Sequence, residues 1–511
     1  MLSRIDSIEQ PGFAAMRGMF SRGLLVTWFA TFAVLGLWLT RSWPYLGDAT
    51  LIRYVVLSRA HHLAPYRDIH DINLSGGYLL DWLTLHLFGD GAIGLRCYDC
   101  LLLAAGTLAM WVAAPKQSKA AALCAGCLLA LFHGRDGAEE IGQRDLAIAV
   151  LLLFAAACLV VISRHWRPGL AGLFGLCVGF ACTIKPVALC ILLIAVPVVR
   201  SLNRPQRRLF GLWGVAGLSV PILAMLGFLQ YHGALYSFFA VLTVDIPFHA
   251  RLGVRPAGWL IGRLFTSSLI VWTVSLTMGW WIFRERSMEE RIVLWGIGAG
   301  ALCYLLQLRG FNYHRYPFAA CVLLGMALLV PRLLAVRGWL YGCGVGLLIY
   351  CAVLCPLFLQ AGLKRPRTAP AELLALESDL RGDAGEETYQ CVDTIGGCIN
   401  ALVDLHRSQA TGEMYDEFLF HRALPPALQE QRSQFLVQLT AHPPAKIIVM
   451  SGLFPEIRSG YEKLAQWPDF QRWLGACYSL EMDRTFPGQL PSEEVGYRIF
   501  RLSPEGCKTS K

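Results

Sequence analysis

Apolar runs recur eleven times along this chain, at residues 23–40, 92–114, 120–132, 146–163, 169–184, 187–199, 209–229, 266–283, 292–308, 316–331 and 339–359. A run near 20 residues is long enough to cross the hydrocarbon of a bilayer as a helix. In lipid, backbone amides find partners only inside helices or closed barrels. The pattern therefore predicts a mainly α protein, a polytopic membrane bundle of about eleven transmembrane helices. The first run ends at Arg41 without a small-residue cleavage site and is followed by further spans, so it reads as a helix and not as a cleaved signal.

The charges divide the chain at about residue 360. Residues 1–360 hold 29 Lys and Arg with 16 Asp and Glu, whereas 361–511 hold 16 and 20 in less than half the length. The second part has the composition of a soluble domain. Tyr389–Asp393, Lys446–Met450 and Gly496–Leu502 read as strands, and Ala371–Leu380 and Gln429–Leu439 as helices. The expected organisation is a membrane module, 1–360, followed by a small α/β domain, 361–511. Gly396-Gly397 after the first of these strands resembles a phosphate-binding turn, but without a full GxGxxG it reads better as a tight βα turn.

Lys and Arg beside short loops stay in the cytoplasm. With the N-terminus inside, the segments 1–22, Pro115–Lys119, Arg164–Pro168, Arg200–Arg208, Arg284–Arg291 and Arg332–Arg337 are cytoplasmic and hold 16 basic and 5 acidic residues. An odd number of spans then places the C-terminal domain outside. Gly76–Phe88 contains Asp81 and His86 and is too short to cross. It reads as an amphipathic surface helix with Leu79, Leu80, Leu83 and Leu87 toward lipid, within a long first outer loop, 41–91. The basic residues lie singly between apolar runs, which excludes a nucleic-acid surface. Most of the 17 cysteines, the Cys124–Cys127 pair included, sit in apolar stretches and read as small buried hydrophobes.

Ionisable groups at membrane depth are expensive, so acids gathered at one face mark a functional site. Three groups of them fall on the outer side. They are Asp48; Asp68 with Asp71; and HGRDGAEEIGQRDL, which carries Asp136, Glu139, Glu140, Arg144 and Asp145.

The order of an acid just after the first helix (Asp48), then APYRD, then NLSGGYLL and an arginine entering the next helix (Arg96) resembles the polyprenyl-phosphate-sugar-dependent GT-C glycosyltransferases. Their family 39 includes protein O-mannosyltransferases and aminoarabinose transferases. GQRD at 142–145, Lys185-Pro186 and NYHRYP at 312–317 fall where that family keeps its polar residues, and the resemblance spans about 20–330. The chain departs from the pattern in having Leu74-Ser75 in place of two prolines and Ala49 after Asp48.

The resemblance implies an enzyme of a bacterial inner membrane. It would take a polyprenyl-phosphate-linked sugar at the outer leaflet and pass the sugar to a glycan, lipid or protein acceptor. In that frame Asp48 matches the first-loop general base and Asp71 the second first-loop acid; the alternative for Asp48 is a carboxylate that caps the helix that follows through the Thr50 and Leu51 amides. Asp68 is expected to pair with Arg67 or Arg59, and Asp145 with Arg144, or to hold the loop near the donor. Lys185, at the end of an apolar helix, either snorkels or binds the phosphate, and Arg315 with His314 and Tyr316 could grip the same group. Arg309, Arg251 and Arg255 read as interfacial anchors. His61, His62, His70 and Asp71 have loose spacing for a metal, so no metal or other cofactor is expected. A transporter or flippase for lipid-linked saccharides is the alternative, although that class tends to show repeats and a midplane site.

Overall fold

The computed structural model describes residues 11–44, 46–366, 368–383, 387–394, 396–455, 460–487 and 494–504. Arg4 of the basic N-terminal segment lies outside them. Every apolar run of the sequence falls on a helix. The first is α1 (Pro11–Leu39). The first loop carries α2 (Asp48–Ser58) and α3 (Ser75–Phe88). Then come α4 (Ala92–Ala113), α5 (Lys119–Gly134), α6 (Arg144–Arg164), α7 (Pro168–Ile184), a 3-10 stretch Pro186–Ala195 running into α8 (Val196–Ser201), and α9 (Arg204–Tyr231). The short α10 (Leu235–Ala240), α11 (Ile246–Arg251) and α12 (Ala257–Leu264) lead to α13 (Ser267–Ile282), α14 (Met288–Leu306), α15 (Tyr316–Leu334) and α16 (Trp339–Leu363).

Six of these helices are by themselves long and apolar enough to span a membrane, and α12 with α13, bent by 87°, make a seventh if counted as one. The helices α6 and α15 form the buried centre; α1, α9 and α16 present most of their surface outward. Glycine lets α7 and α9 touch backbone to backbone. A Cβ on Gly175 would lie 2.0 Å from the Gly214 carbonyl oxygen, and one on Gly217 2.0 Å from that of Gly172, the small-residue packing that lipid favours. Capping boxes at Asn203 with Gln206 and at Ser287 with Glu290 start α9 and α14 beside the basic loops.

Within the first loop, α3 exposes Leu79, Trp82, Leu83 and Leu87, as an amphipathic surface helix should. Leu80 instead turns toward the bundle core. Asp81, on the buried side, receives two hydrogen bonds from Arg53 of α2, Nε to Oδ2 at 2.8 Å and Nη2 to Oδ1 at 3.0 Å. Arg53 is wholly buried and also pairs with Asp90. A charge so placed is tolerated only when paired, so this contact fixes α2 against α3.

Beyond α16 the chain forms α17 (Ala371–Arg381), β1 (Tyr389–Val392), α18 (Cys398–Asp404), α19 (Glu417–Phe420), α20 (Pro426–Ala441), β2 (Lys446–Met450), α21 (Pro468–Cys477), β3 (Tyr478–Pro487) and β4 (Glu494–Leu502). The sheet order is β1-β2-β4-β3, parallel only between β1 and β2. The sequence pattern does not reveal β3, an edge strand whose side chains are nearly all exposed and partly charged. At the Gly396-Gly397 turn the amides of Gly396 and Cys398 already donate to the Asp393 carboxylate, at 2.7 and 2.9 Å. It is a closed βα turn.

The tail packs directly on the first loop, and one apolar cluster includes Ala49, Ile52 and Val55 of α2 together with Leu402, Tyr415 and Phe418 of the tail. Asn400 Nδ2 donates to Thr50 Oγ1 at 2.9 Å, and the Gln409 amide donates to Tyr54 Oη at 2.9 Å. His70 joins three segments, with Nε2 2.7 Å from Asp245 and Nδ1 3.1 Å from Glu413. Burial alone would lower the His70 pKa, but the two acids outweigh it and raise it to about 10. A folded pKa raised above the ordinary 6.5 gives stability that is complete below pH 6.5 and lost as pH climbs through about 10. His70→Gln should therefore lower the thermal midpoint most below pH 6.5, with the gap to the parent closing toward pH 10; a gap that does not vary with pH would mean that the clasp is not ionic.

Candidate active site

One end of the bundle gathers the polar residues. α6 begins there with Arg144 and ends at the other side, where Arg164 pairs with Glu289 at the start of α14 (2.8 Å). α14 then returns and delivers Gln307 to the first end. Asp48 opens α2 directly after Gly47, whose positive φ of 61° turns the chain into the helix.

Arg144 Nη2 donates to Asp48 Oδ2 at 2.8 Å, and Asp48 Oδ1 has no partner among the described residues. The Asp48 side chain is 34% exposed, and its carboxylate does not cap α2. Burial would raise its pKa, but the charges of Arg144 and Lys185 and the Arg144 hydrogen bond hold it below the ordinary carboxylate value. Asp145 takes a different partner from the one expected: its Oδ2 lies 2.5 Å from Lys185 Nζ, not on Arg144. Successive residues at a helix start project about 100° apart, so Arg144 and Asp145 cannot share a direction. Gln307 closes the group, accepting from Lys185 Nζ at 3.0 Å and donating to Asp145 Oδ1 at 3.4 Å. Lys185 is thus neither a snorkel nor an unengaged cation.

The three residues at 314–316 divide. The charges of Lys185, Arg309 and Arg144 all act on His314, whose Nδ1 is buried without a partner. Arg315 pairs with Asp136 at 3.2 Å and with Asn312 Oδ1 at 2.8 Å. Tyr316 Oη donates to Glu140 and sits 2.8 Å from His133 Nδ1. His133 Nε2 in turn meets Asp99 at 3.2 Å, and the other Asp99 oxygen accepts the Gly142 amide at 3.1 Å. This second network holds the turn that carries Arg144 and Asp145.

Asp71 is fully buried and surrounded by hydroxyl and amide donors. Tyr415 donates to its Oδ1 at 2.5 Å, Tyr78 to its Oδ2 at 2.8 Å, and the Asn73 side chain to both oxygens. Asp68 pairs with Arg67 at 2.7 Å. No cluster of three or more His, Cys, Asp or Glu side chains with metal-holding geometry occurs among the described residues.

Gln307, His249, Tyr415 and Glu417 escape the sequence reading, and Arg309 reads there only as an interfacial anchor. Gln307 and Arg309 stand just upstream of NYHRYP, where a glutamine closing an apolar helix is the one available signal. His249 lies within the short α11, in no recognisable motif. The tail residues Tyr415 and Glu417 announce themselves only as polar positions alternating in EMYDEF.

No protein-family model and no curated protein sequence matches the chain. Solved structures do. ArnT from Cupriavidus metallidurans in the apo state superposes with a TM-score of 0.60 at 14% identity, over 92% of this chain and 97% of that one. The same protein bound to undecaprenyl phosphate gives 0.57 at 15% identity, with the same coverage. The oligosaccharyltransferase of Archaeoglobus fulgidus in the apo form gives 0.55 at 12% identity, over 83% of this chain and 69% of that one. The chain has the fold of these GT-C membrane glycosyltransferases and is an integral membrane protein, with a mainly helical bundle and a small mixed sheet.

Burial pushes the Glu140 carboxyl up to about 8, against the hydrogen bond from Tyr316. A raised carboxyl keeps its proton in the folded state across a range where the unfolded chain has lost it, so stability falls as pH rises from about 4.5 to 8. Glu140→Gln should flatten that decline and raise the thermal midpoint at pH 8 relative to the parent; an unchanged pH profile would place the ionisation elsewhere.

Proposed function

We propose that this protein moves a sugar from a polyprenyl-phosphate donor to an acceptor hydroxyl outside the cytoplasm. The carrying observation is the Asp48–Arg144 pair: a carboxylate aimed by one cation, with its second oxygen open, beside Lys185 and Arg309. The fold adds to this reading, since its neighbours include ArnT bound to undecaprenyl phosphate and an oligosaccharyltransferase holding dolichol-phosphate with an inhibitory peptide.

In the proposed reaction the acceptor oxygen bonds to the anomeric carbon as the bond from that carbon to the phosphate oxygen breaks. Asp48 Oδ1 accepts the hydroxyl proton, and the lowered pKa of this group keeps it ionised at neutral pH. The departing polyprenyl phosphate carries away the electron pair, and its charge is stabilised by Lys185 and Arg309. His314 Nδ1 and Arg144 Nε, both buried without partners, are available to polar groups of the substrates. Asp71 has its lone pairs engaged by Tyr415, Tyr78 and Asn73, so we assign it to shaping the acceptor side rather than to taking a proton. Arg315 and Tyr316 support the turn before Arg144.

We also place the 361–511 domain outside the cell and the N-terminus of the 1–360 module in the cytoplasm of a bacterial inner membrane. Among the described residues the free cysteines all fall between Cys97 and Cys355, while Cys391 is joined to Cys398 and Cys477 is also disulfide-bonded. Structural disulfides persist in oxidising compartments, which supports an external tail. The odd number of spans expected from the sequence would give the same placement.

Asp48→Asn should cut sugar transfer from polyprenyl-phosphate sugars by a factor on the order of 10² to 10⁴ while the protein remains folded and inserted. Full turnover by that variant would refute the role of Asp48. For the orientation, an enzyme reporter that works only in the periplasm should be active when fused after Lys511, and activity of a cytoplasm-only reporter there would reverse the topology.

A further inference from the structure

The tail residues Glu413, Tyr415 and Glu417 reach three different partners in the rest of the chain: His70, Asp71 and His249. Asp416 between them turns the other way, accepting from Lys463 Nζ and Thr394 Oγ1, each at 2.6 Å. The stretch is therefore anchored in the tail and presents alternate side chains to the site.

The contact at Glu417 continues further. Its Oε1 is bonded to His249 Nδ1, which places a proton on Nδ1 and leaves Nε2 as an acceptor. Arg309 Nη1 lies 2.5 Å from that Nε2, and Nη2 donates to the His249 carbonyl oxygen. The Phe454 ring backs both groups, stacked on His249 with centroids 5.3 Å apart and lying 5.0 Å from the Arg309 guanidinium carbon. Arg144, Lys185 and Arg309 all act on His314, but the first two are engaged by Asp48 and Asp145. Among the described residues Arg309 has no carboxylate partner, and its hydrogen bonds go to His249 alone.

We propose that Glu417 is a positioning residue which, through His249, aims Arg309 at the donor phosphate, so that the tail takes part in donor binding. This rests on the glycosyltransferase reading above. An imidazole bonded on both nitrogens cannot rotate without breaking one bond, and a carboxylate bonded to a ring N–H sets which nitrogen faces outward.

The test measures binding of undecaprenyl phosphate to the full-length protein in detergent. Glu417→Gln should weaken it roughly tenfold, the size of one charge-assisted contact. His249→Phe, which keeps the stacking on Phe454, should weaken it equally, and the double variant no further. Should Glu417→Gln fail to fold, His249→Phe breaks the same chain of contacts and decides the question. Glu413→Gln is the control for general loosening of the tail, because it breaks the His70 contact and should lower the thermal midpoint without changing lipid affinity. Parent-like binding by Glu417→Gln or His249→Phe, or equal weakening by Glu413→Gln, overturns the proposal. Lack of binding by the parent protein would instead overturn the glycosyltransferase reading on which it rests.

Discussion

The rest of the site depends on how charge is neutralised where the bundle meets its loops. Asp48, Arg144, Asp145 and Lys185 are brought together by the start of α2, the start of α6 and the end of α7. Removing any of these ions from water costs several kcal/mol unless an opposite charge with good geometry offsets it. Pairing Arg144 outward to Asp48 and Asp145 sideways to Lys185 satisfies all four, and it also fixes three helix ends relative to one another. The Asp99 bond to the Gly142 amide sets the turn from which Arg144 and Asp145 diverge.

Much of this was legible before the fold. The apolar runs locate the helices because burial in lipid leaves few other ways to satisfy a backbone, and Asp48, Arg144, Asp145 and Lys185 stand out as charges beside those runs. Their partners were not legible. Asp145 and Arg144 are adjacent in sequence, which suggests a pair, but a helix start sends neighbours in different directions. The same holds for His314, Arg315 and Tyr316, which look like one grip and instead serve two networks. Contacts from the tail were the least visible of all, since Tyr415 meets Asp71 across 344 positions and no local pattern encodes that distance.

The distribution of charge also bears on which class of membrane protein this fold serves here. A carrier presents its ligand to each side in turn and places its polar groups near the midplane, often at broken helices. The paired ions at this site lie at helix ends and in the loops that join them. The opposite end of α6 and α14 is closed by the Arg164–Glu289 pair. Such an arrangement suits chemistry performed at one surface.

Two carboxylates of the first loop illustrate how environment separates roles that sequence alone makes equivalent. Asp48 is partly exposed, held by a guanidinium through one oxygen, with the other open. Asp71 is enclosed by Tyr78, Asn73 and Tyr415, which together occupy both oxygens. A base needs a lone pair that the substrate can reach, and only the first has one. The second holds Tyr415, and with it the tail, against the loop, so the same residue type is scaffold in one place and, in the role proposed for Asp48, reagent in the other. That division follows from donor count alone: one cation leaves an oxygen available, whereas two phenols and an amide do not.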